Sequence, residues 1–337
     1  MKCSTAPRNR SALWLASALT LSCVPAMAAD YPTTILADKP VAYYRLEEFP
    51  GATVAVDSST NRLNGTYHFN DAGSPQLGLP GIDTNSILFS YPSNNPADYG
   101  FVDIPYNSLL SPVNSDGLTG GPFSAECWVQ AATLSPADYL CPLAMSGPAS
   151  GGSYNNGSGW VFYEAQTTPA TWQLFLSTAG SVVVLSDPTP MAGQQWYHLA
   201  VTWDGTFAVF YVNGASQASA ALNNYLAVPG YDAAIGAGPQ SGHSAFLGGV
   251  DEVAFYTNAL TPAQVLNHYQ VGTSSFRAPL SLSIAASRTN IVLTWASGSL
   301  QESHNANGVY TNVTGAKSPF AITASGASQA FFRVKGQ

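Results

Sequence analysis

Charged side chains are scarce in this sequence: only 9% of its 337 residues are Asp, Glu, Lys or Arg. That excludes a polyampholyte coil or a long coiled coil. Cations are scarcer still, with 11 Lys and Arg against 19 Asp and Glu, a formal net charge of −8. A nucleic-acid binder needs a basic footprint, and none is present. Long apolar runs are missing too, since a bilayer-spanning helix takes about 20 consecutive apolar residues and the longest stretch, Ala12 to Leu21, is far shorter. Of four cysteines, only Cys127 and Cys141 lie beyond residue 28. They leave room for one internal bridge across the loop between them, or for two buried thiols.

What is present at the front is an export signal. Lys2, Arg8 and Arg10 precede the apolar run, and Ala26-Met27-Ala28 supplies the small residues of a cleavage site. Residues 1–28 therefore read as a signal peptide, which predicts a secreted or cell-surface protein. Beyond it the charge divides. Residues 29–276 hold three cations against 18 acids, a net −15, whereas 277–337 hold five cations against Glu302, a net +4. This asymmetry predicts a large first domain over 29–276 and a small β domain over 277–337.

Thirty glycines and 23 prolines punctuate short runs rich in Val, Tyr, Phe, Trp and Thr. The pattern predicts an all-β antiparallel sandwich of jelly-roll type, with strands such as 123–130, 141–145, 160–164, 172–177, 196–203, 207–212 and 250–256. Asp204-Gly205 and Asn213-Gly214 break the segment 194–220 into a three-stranded meander. One helix stands out: Thr261 as N-cap, Pro262 at the first helical position, Gln264 at the third, and Gly272 as its stop.

The order ILADKPVAYYRLEE, VDSSTNRLNGTY, FSAECWVQ, QQWYHLAVTWDG, FYVNG and GGVDEVAFYTNALTPAQVLNHY resembles the bacterial laminin-G-like (concanavalin A-like lectin/glucanase) jelly-roll module over about residues 31–272. The resemblance implies two packed antiparallel sheets, a closing helix, and use as a carbohydrate-binding or adhesion module in secreted proteins. The tail resembles a short C-terminal β repeat of exported bacterial proteins.

Catalysis by laminarinase-type members needs a Glu-x-Asp-x-x-Glu strand, because nucleophile and acid/base must stand roughly 5 Å apart on one sheet face. None of the six glutamates, Glu47, Glu48, Glu126, Glu164, Glu252 and Glu302, has that spacing. A non-catalytic module is expected. The alternatives are a hydrolase whose carboxylates come from different strands, such as Glu47 or Glu48 with Glu252, or a structural surface protein without a small ligand.

Calcium is the expected cofactor. Asp57 to Gly65 offers carboxylate, amide and backbone oxygens, the hard donors calcium favours, and Asp251-Glu252 offers more. The resemblance places Asp57, Asn64 and Asp251 at family positions, with Arg62 as a departure; an Asx-turn with a salt bridge is the alternative. For sugar, flat aromatic rings beside amides are needed. Tyr91, Tyr99, Tyr154, Asn156, Trp160 and Trp172 are the candidates, whereas Trp128, Trp196 and Trp203 read as packing residues. The acidic balance predicts a neutral rather than anionic glycan as partner.

Overall fold

Alternation along the strands sets up two layers, because successive side chains of a strand leave on opposite faces. The computed structural model describes residues 30–335 apart from 71–72, 91–98, 133–138, 148–156, 223, 239–243, 276–281, 287–289, 296–297 and 324–328. The predicted signal peptide lies outside the described residues.

The first sheet runs in the order β14 (Ala215–Ala221), β13 (Phe207–Val212), β12 (Trp196–Trp203), β7 (Phe123–Ala131), β16 (Gly248–Tyr256), β5 (Asn85–Phe89), β4 (Gln76–Pro80), with β1 (Ala42–Tyr44) also paired to β16. The second runs β11 (Ser181–Ser186), β10 (Trp172–Thr178), β9 (Ser158–Glu164), β8 (Leu140–Gly147), β15 (Ala233–Ile235), β6 (Phe101–Ile104), β3 (Gly65–His68), β2 (Val54–Ala55). All pairings are antiparallel, and the fold is the predicted jelly-roll sandwich. Between the sheets Val129, Leu199, Val201, Phe210 and Phe255 meet Leu143, Met145, Trp160, Phe162, Trp172 and Leu174 in one core.

The first sheet has a second buried face. Tyr43, Trp128, Ala200, Tyr211 and Tyr256 point away from the sandwich and lie under two helices, α1 (Tyr31–Ala37) and α2 (Pro262–Ser275). The α2 cap is the predicted capping box, with Thr261 N donating to Gln264 Oε1 at 2.9 Å and Gln264 N to Thr261 Oγ1 at 3.3 Å. Gly272 does not end the helix, which runs on to Ser275. It lies against Trp128, where a Cβ would meet the ring at 2.3 Å. The meander forms as predicted from β12, β13 and β14, and Asn213 and Gly214 take the positive φ of 53° and 75° that its second turn requires.

The expected disulfide is corrected. Cys127 and Cys141 are free and buried. Cys127, on β7, belongs to the core between the sheets, whereas Cys141, on β8 of the other sheet, packs with Ala144 and Val161 in a separate cluster. Burial pushes both thiols up, Cys127 far above its usual value.

The tail forms two three-stranded sheets. One orders β17 (Leu282–Ala286), β18 (Asn290–Trp295), β21 (Phe320–Thr323); the other orders β20 (Thr311–Asn312), β19 (Ser299–Ser303), β22 (Phe331–Lys335). Leu293, Trp295 and Leu300 are its buried centre.

Candidate functional site

A β-bulge in β16 creates the most charged locus. Its register with β7 slips between Asp251 and Ala254, and Glu252 takes φ +53°, so two consecutive carboxylates are both fully buried. Asp251 Oδ2 accepts from Ile82 N at 2.7 Å. Glu252 Oε2 accepts from the Tyr43 hydroxyl. Asp251 Oδ1 and Glu252 Oε1 have no hydrogen-bond partner. Arg45 supplies the cation: its Nη2 reaches Asp83 at 2.6 Å and Glu47 at 3.2 Å, and its Nε stands 3.8 Å from Glu252. Oxygens of Glu47, Asp83 and Glu252 lie within 4.8 Å of one another.

Three carboxylates thus face one guanidinium, with the buried Asp251 next to Glu252 in the chain. Burial, then the neighbouring Glu252 charge, pushes Asp251 well above the usual carboxylate range, and burial does the same to Glu252 against the pull of Tyr43 and Arg45. Such a group demands protons or a further cation, and its all-oxygen donors suit a hard divalent ion. The sequence named Asp251 and Glu252 here but missed Glu47 and Asp83 as ligands, since only the fold joins the three segments.

Asp57 and Asn64 are corrected as metal ligands. Asp57 Oδ1 accepts from Tyr43 N at 2.8 Å and Ser59 N at 2.7 Å, and Oδ2 from Ser59 Oγ at 2.8 Å and Leu63 N at 2.7 Å. Those four donors use a carboxylate's acceptor capacity. Asn64 Oδ1 accepts from Asp57 N at 2.9 Å. The loop is the Asx-type turn that stood as the alternative.

Two aromatic candidates are corrected as well. Trp160 is 1% exposed, stacked 6.0 Å from Phe123, and Trp172 is fully buried against Tyr197 and Phe246. Both occupy inward positions of β9 and β10, beyond reach of a ligand. Tyr91, Tyr154 and Asn156 lie outside the described residues, and Tyr99 is half-buried just before β6. The positions that alternate with the two tryptophans face outward instead. Tyr163 and Phe175 stand 5.0 Å apart edge to face, and Tyr139 joins them at 5.3 and 5.6 Å. Gln173 pairs with Tyr163 in register, and its buried side-chain carbonyl has no hydrogen-bond partner. Strand alternation around Trp160 and Trp172 was the signal for this platform.

Two further glutamates, Glu126 and Glu164, are fully buried. Glu126 accepts from the Tyr256 hydroxyl at 2.6 Å and lies 2.9 Å from His268 Nδ1 and 3.1 Å from His198 Nε2, while His268 Nε2 reaches Asp38 at 2.9 Å. Burial opposes charge in this network, but the histidines hold Glu126 well below the usual range and the carboxylates raise His268 to about 9. It ties α2 to the sheet. Glu164 points into the core with neither oxygen hydrogen-bonded. Glu47 and Glu252 do come together as one alternative required, but Glu252 is buried and Arg45 sits beside both.

Comparison with known proteins agrees with this architecture. The profile of the concanavalin A-like lectin/glucanases superfamily matches residues 105–266, so the resemblance read from the sequence holds over those residues. No curated protein matches the chain. Among solved structures, the binding domain of Paraclostridial Mosquitocidal Protein 1 is similar at 11% identity and TM-score 0.51, covering 88% of this chain and 76% of that one. The botulinum neurotoxin serotype D ligand binding domain, in complex with N-acetylneuraminic acid, is similar at 12% identity and TM-score 0.50, with 83% and 70% covered. Domain 4 of AbnA, a GH43 extracellular arabinanase from Geobacillus stearothermophilus, in complex with arabinotriose, gives 18% identity and TM-score 0.48, with 69% and 98% covered. For the two toxin domains the likeness, at these identities, is one of fold. Among the described residues no helix is long and apolar enough to cross a membrane.

Proposed function

We propose that this concanavalin A-like sandwich is an exported, non-catalytic module that binds neutral extracellular carbohydrate on the outer face of its second sheet. The observation that carries the reading is the Tyr139, Tyr163 and Phe175 platform, half-buried beside the Gln173 amide. Pyranose rings offer apolar C–H faces to such rings. The net −15 of residues 29–276 opposes anionic polymers. The test is a glycan array and a polysaccharide pull-down with the full chain. Neutral glycans should be retained, and the double variant Tyr163→Ala, Phe175→Ala should release them while melting as a folded protein. Retention unchanged by the double variant, or no retention at all, rejects the reading.

A divalent cation, with calcium the best match to these carboxylates, is proposed to stabilise the module at Glu47, Asp83 and Glu252, beside Asp251. It would supply the charge that the orphaned Asp251 Oδ1 and Glu252 Oε1 lack. Thermal melting in millimolar calcium should exceed melting in chelator, and the gap should close in Asp83→Asn but persist in Asp57→Asn if the latter folds. Identical curves in calcium and chelator end the proposal.

A further inference from the structure

The helix-bearing face of the sandwich carries a second concavity that neither the platform nor the carboxylate group uses. Three outward residues stand in one row across the first sheet: Trp196 on β12 pairs with Gln130 on β7, which pairs with Gly249 on β16. Glycine is required in this row. A Cβ at Gly249 would stand 2.9 Å from Trp196 Cη2, so the missing side chain is the space over which the indole lies. Trp196 is thereby half-buried, in contrast to Trp128 and Trp203 at 1% and 2% exposure. Beside it opens a cleft of about 330 Å³, walled by Gln130, Gln194 and Gln195, by Ile82 from the loop before β5, and by Thr273 from the last turn of α2.

The rim is held in shape. Gln194 takes φ +55°, a left-handed conformation costly for a residue with a Cβ, and its carbonyl accepts from Gln130 Nε2 at 2.9 Å. Gln194 and Gln195 are exposed. The lining has no ionisable side chain. The indoles of Trp196 and Trp128, the Ile82 side chain, three primary amides and one hydroxyl form a surface of apolar contact with neutral donors and acceptors at its edge, at the small end of ligand-sized volumes.

We infer that the Trp196 cleft is a second binding site, taking a single neutral sugar unit stacked on the indole with its hydroxyls on the glutamine amides. The inference shares its ligand class with the sugar-binding reading above, but it concerns the opposite sheet, so the two sites fail separately. A module with a site on each sheet can hold two chains, or two points of one polymer, and gains retention through effective concentration.

The experiment titrates the full chain with glucose, galactose, mannose, arabinose and N-acetylglucosamine, read by tryptophan fluorescence and by saturation-transfer difference NMR. At least one sugar should give a saturable signal that Trp196→Ala weakens about tenfold or more. Because Trp196 also packs on the sheet, a second variant works from outside. Thr273 is exposed at the end of α2, so Thr273→Trp fills the cleft without touching the core and should abolish the signal at unchanged melting temperature. The double variant Tyr163→Ala, Phe175→Ala should leave it intact. A signal that survives Thr273→Trp, a signal lost only in the platform variant, or no saturable signal with any of the five sugars overturns the inference.

Discussion

Glu164 shows how one residue can be placed against its own chemistry. Alternation on β9 that carries Trp160 and Phe162 into the core carries Glu164 with them, opposite Trp172, whose indole N–H is also buried without a partner. Burial alone pushes the carboxyl up to about 8. The sign follows from linkage. The unfolded chain releases this proton near the ordinary glutamate value, whereas the folded chain holds it up to about 8, so the folded state loses stability as pH rises between them. Each pKa unit corresponds to about 1.4 kcal/mol, which makes the full effect a few kcal/mol. Denaturant unfolding should therefore show that Glu164→Gln stabilises the protein at pH 8.5 by more than at pH 5. An equal effect at both values would mean that the carboxyl is ionised in the fold. Nothing in the sequence marks this residue, because Trp-x-Phe-x-Glu reads equally well with either face inward until the partner sheet is known.

At the scale of elements, legibility followed the strength of local signals. The strands β12 and β13 lie where the alternation and the two Asx-Gly turns put them, and α2 begins at its capping box. The elements missed carry little signal of their own. β15 has three residues, and β4 contains Gly78 and Pro80. α1 holds two β-branched threonines and is fixed instead by the Asp30 cap on Thr33 N at 2.9 Å and by Trp128 Nε1 donating to the Tyr31 hydroxyl at 2.9 Å. Gly272 is the instructive error, since glycine late in a helical pattern signals a stop, yet here it marks a close approach. Alanine favours a helix over glycine by about 1 kcal/mol, but its methyl would meet Trp128 at 2.3 Å and Tyr31 at 3.0 Å, both rings buried and hydrogen-bonded to each other. Overpacking of that kind costs about 1–3 kcal/mol. Gly272→Ala is thus expected to destabilise the protein in chemical denaturation, whereas Ser274→Ala, on the exposed side of the same turn, should be near neutral. A stabilising Gly272→Ala would show that α2 can slide off the sheet at little cost.

For the whole molecule, apolar burial falls into separate clusters. The sandwich is held by an inter-sheet cluster, by the cluster under its two helices and by the small one at Cys141, while Leu293, Trp295 and Leu300 form another with neighbours drawn only from the tail. The carboxylate site, the aromatic platform and the Trp196 cleft all use residues from Arg45 to Thr273. Charge divides the sequence too, into an acidic stretch and a basic tail. The site geometry was less legible, because its carboxylates sit on three segments far apart in sequence and its aromatics are set by which strand face turns outward. If stability resides where the apolar burial does, a chain of residues 30–275 should unfold in one cooperative transition close to that of residues 30–337, and should keep both sugar responses and the calcium shift. The tail, at about 60 residues, is near the lower limit for a lone core, so residues 277–337 by themselves should melt at a much lower temperature. Calorimetry on the three chains decides it. A drop of more than about 10 °C for 30–275, several kcal/mol for a domain of that size, would mean that the tail completes the sandwich, and that the charge boundary is not the folding boundary.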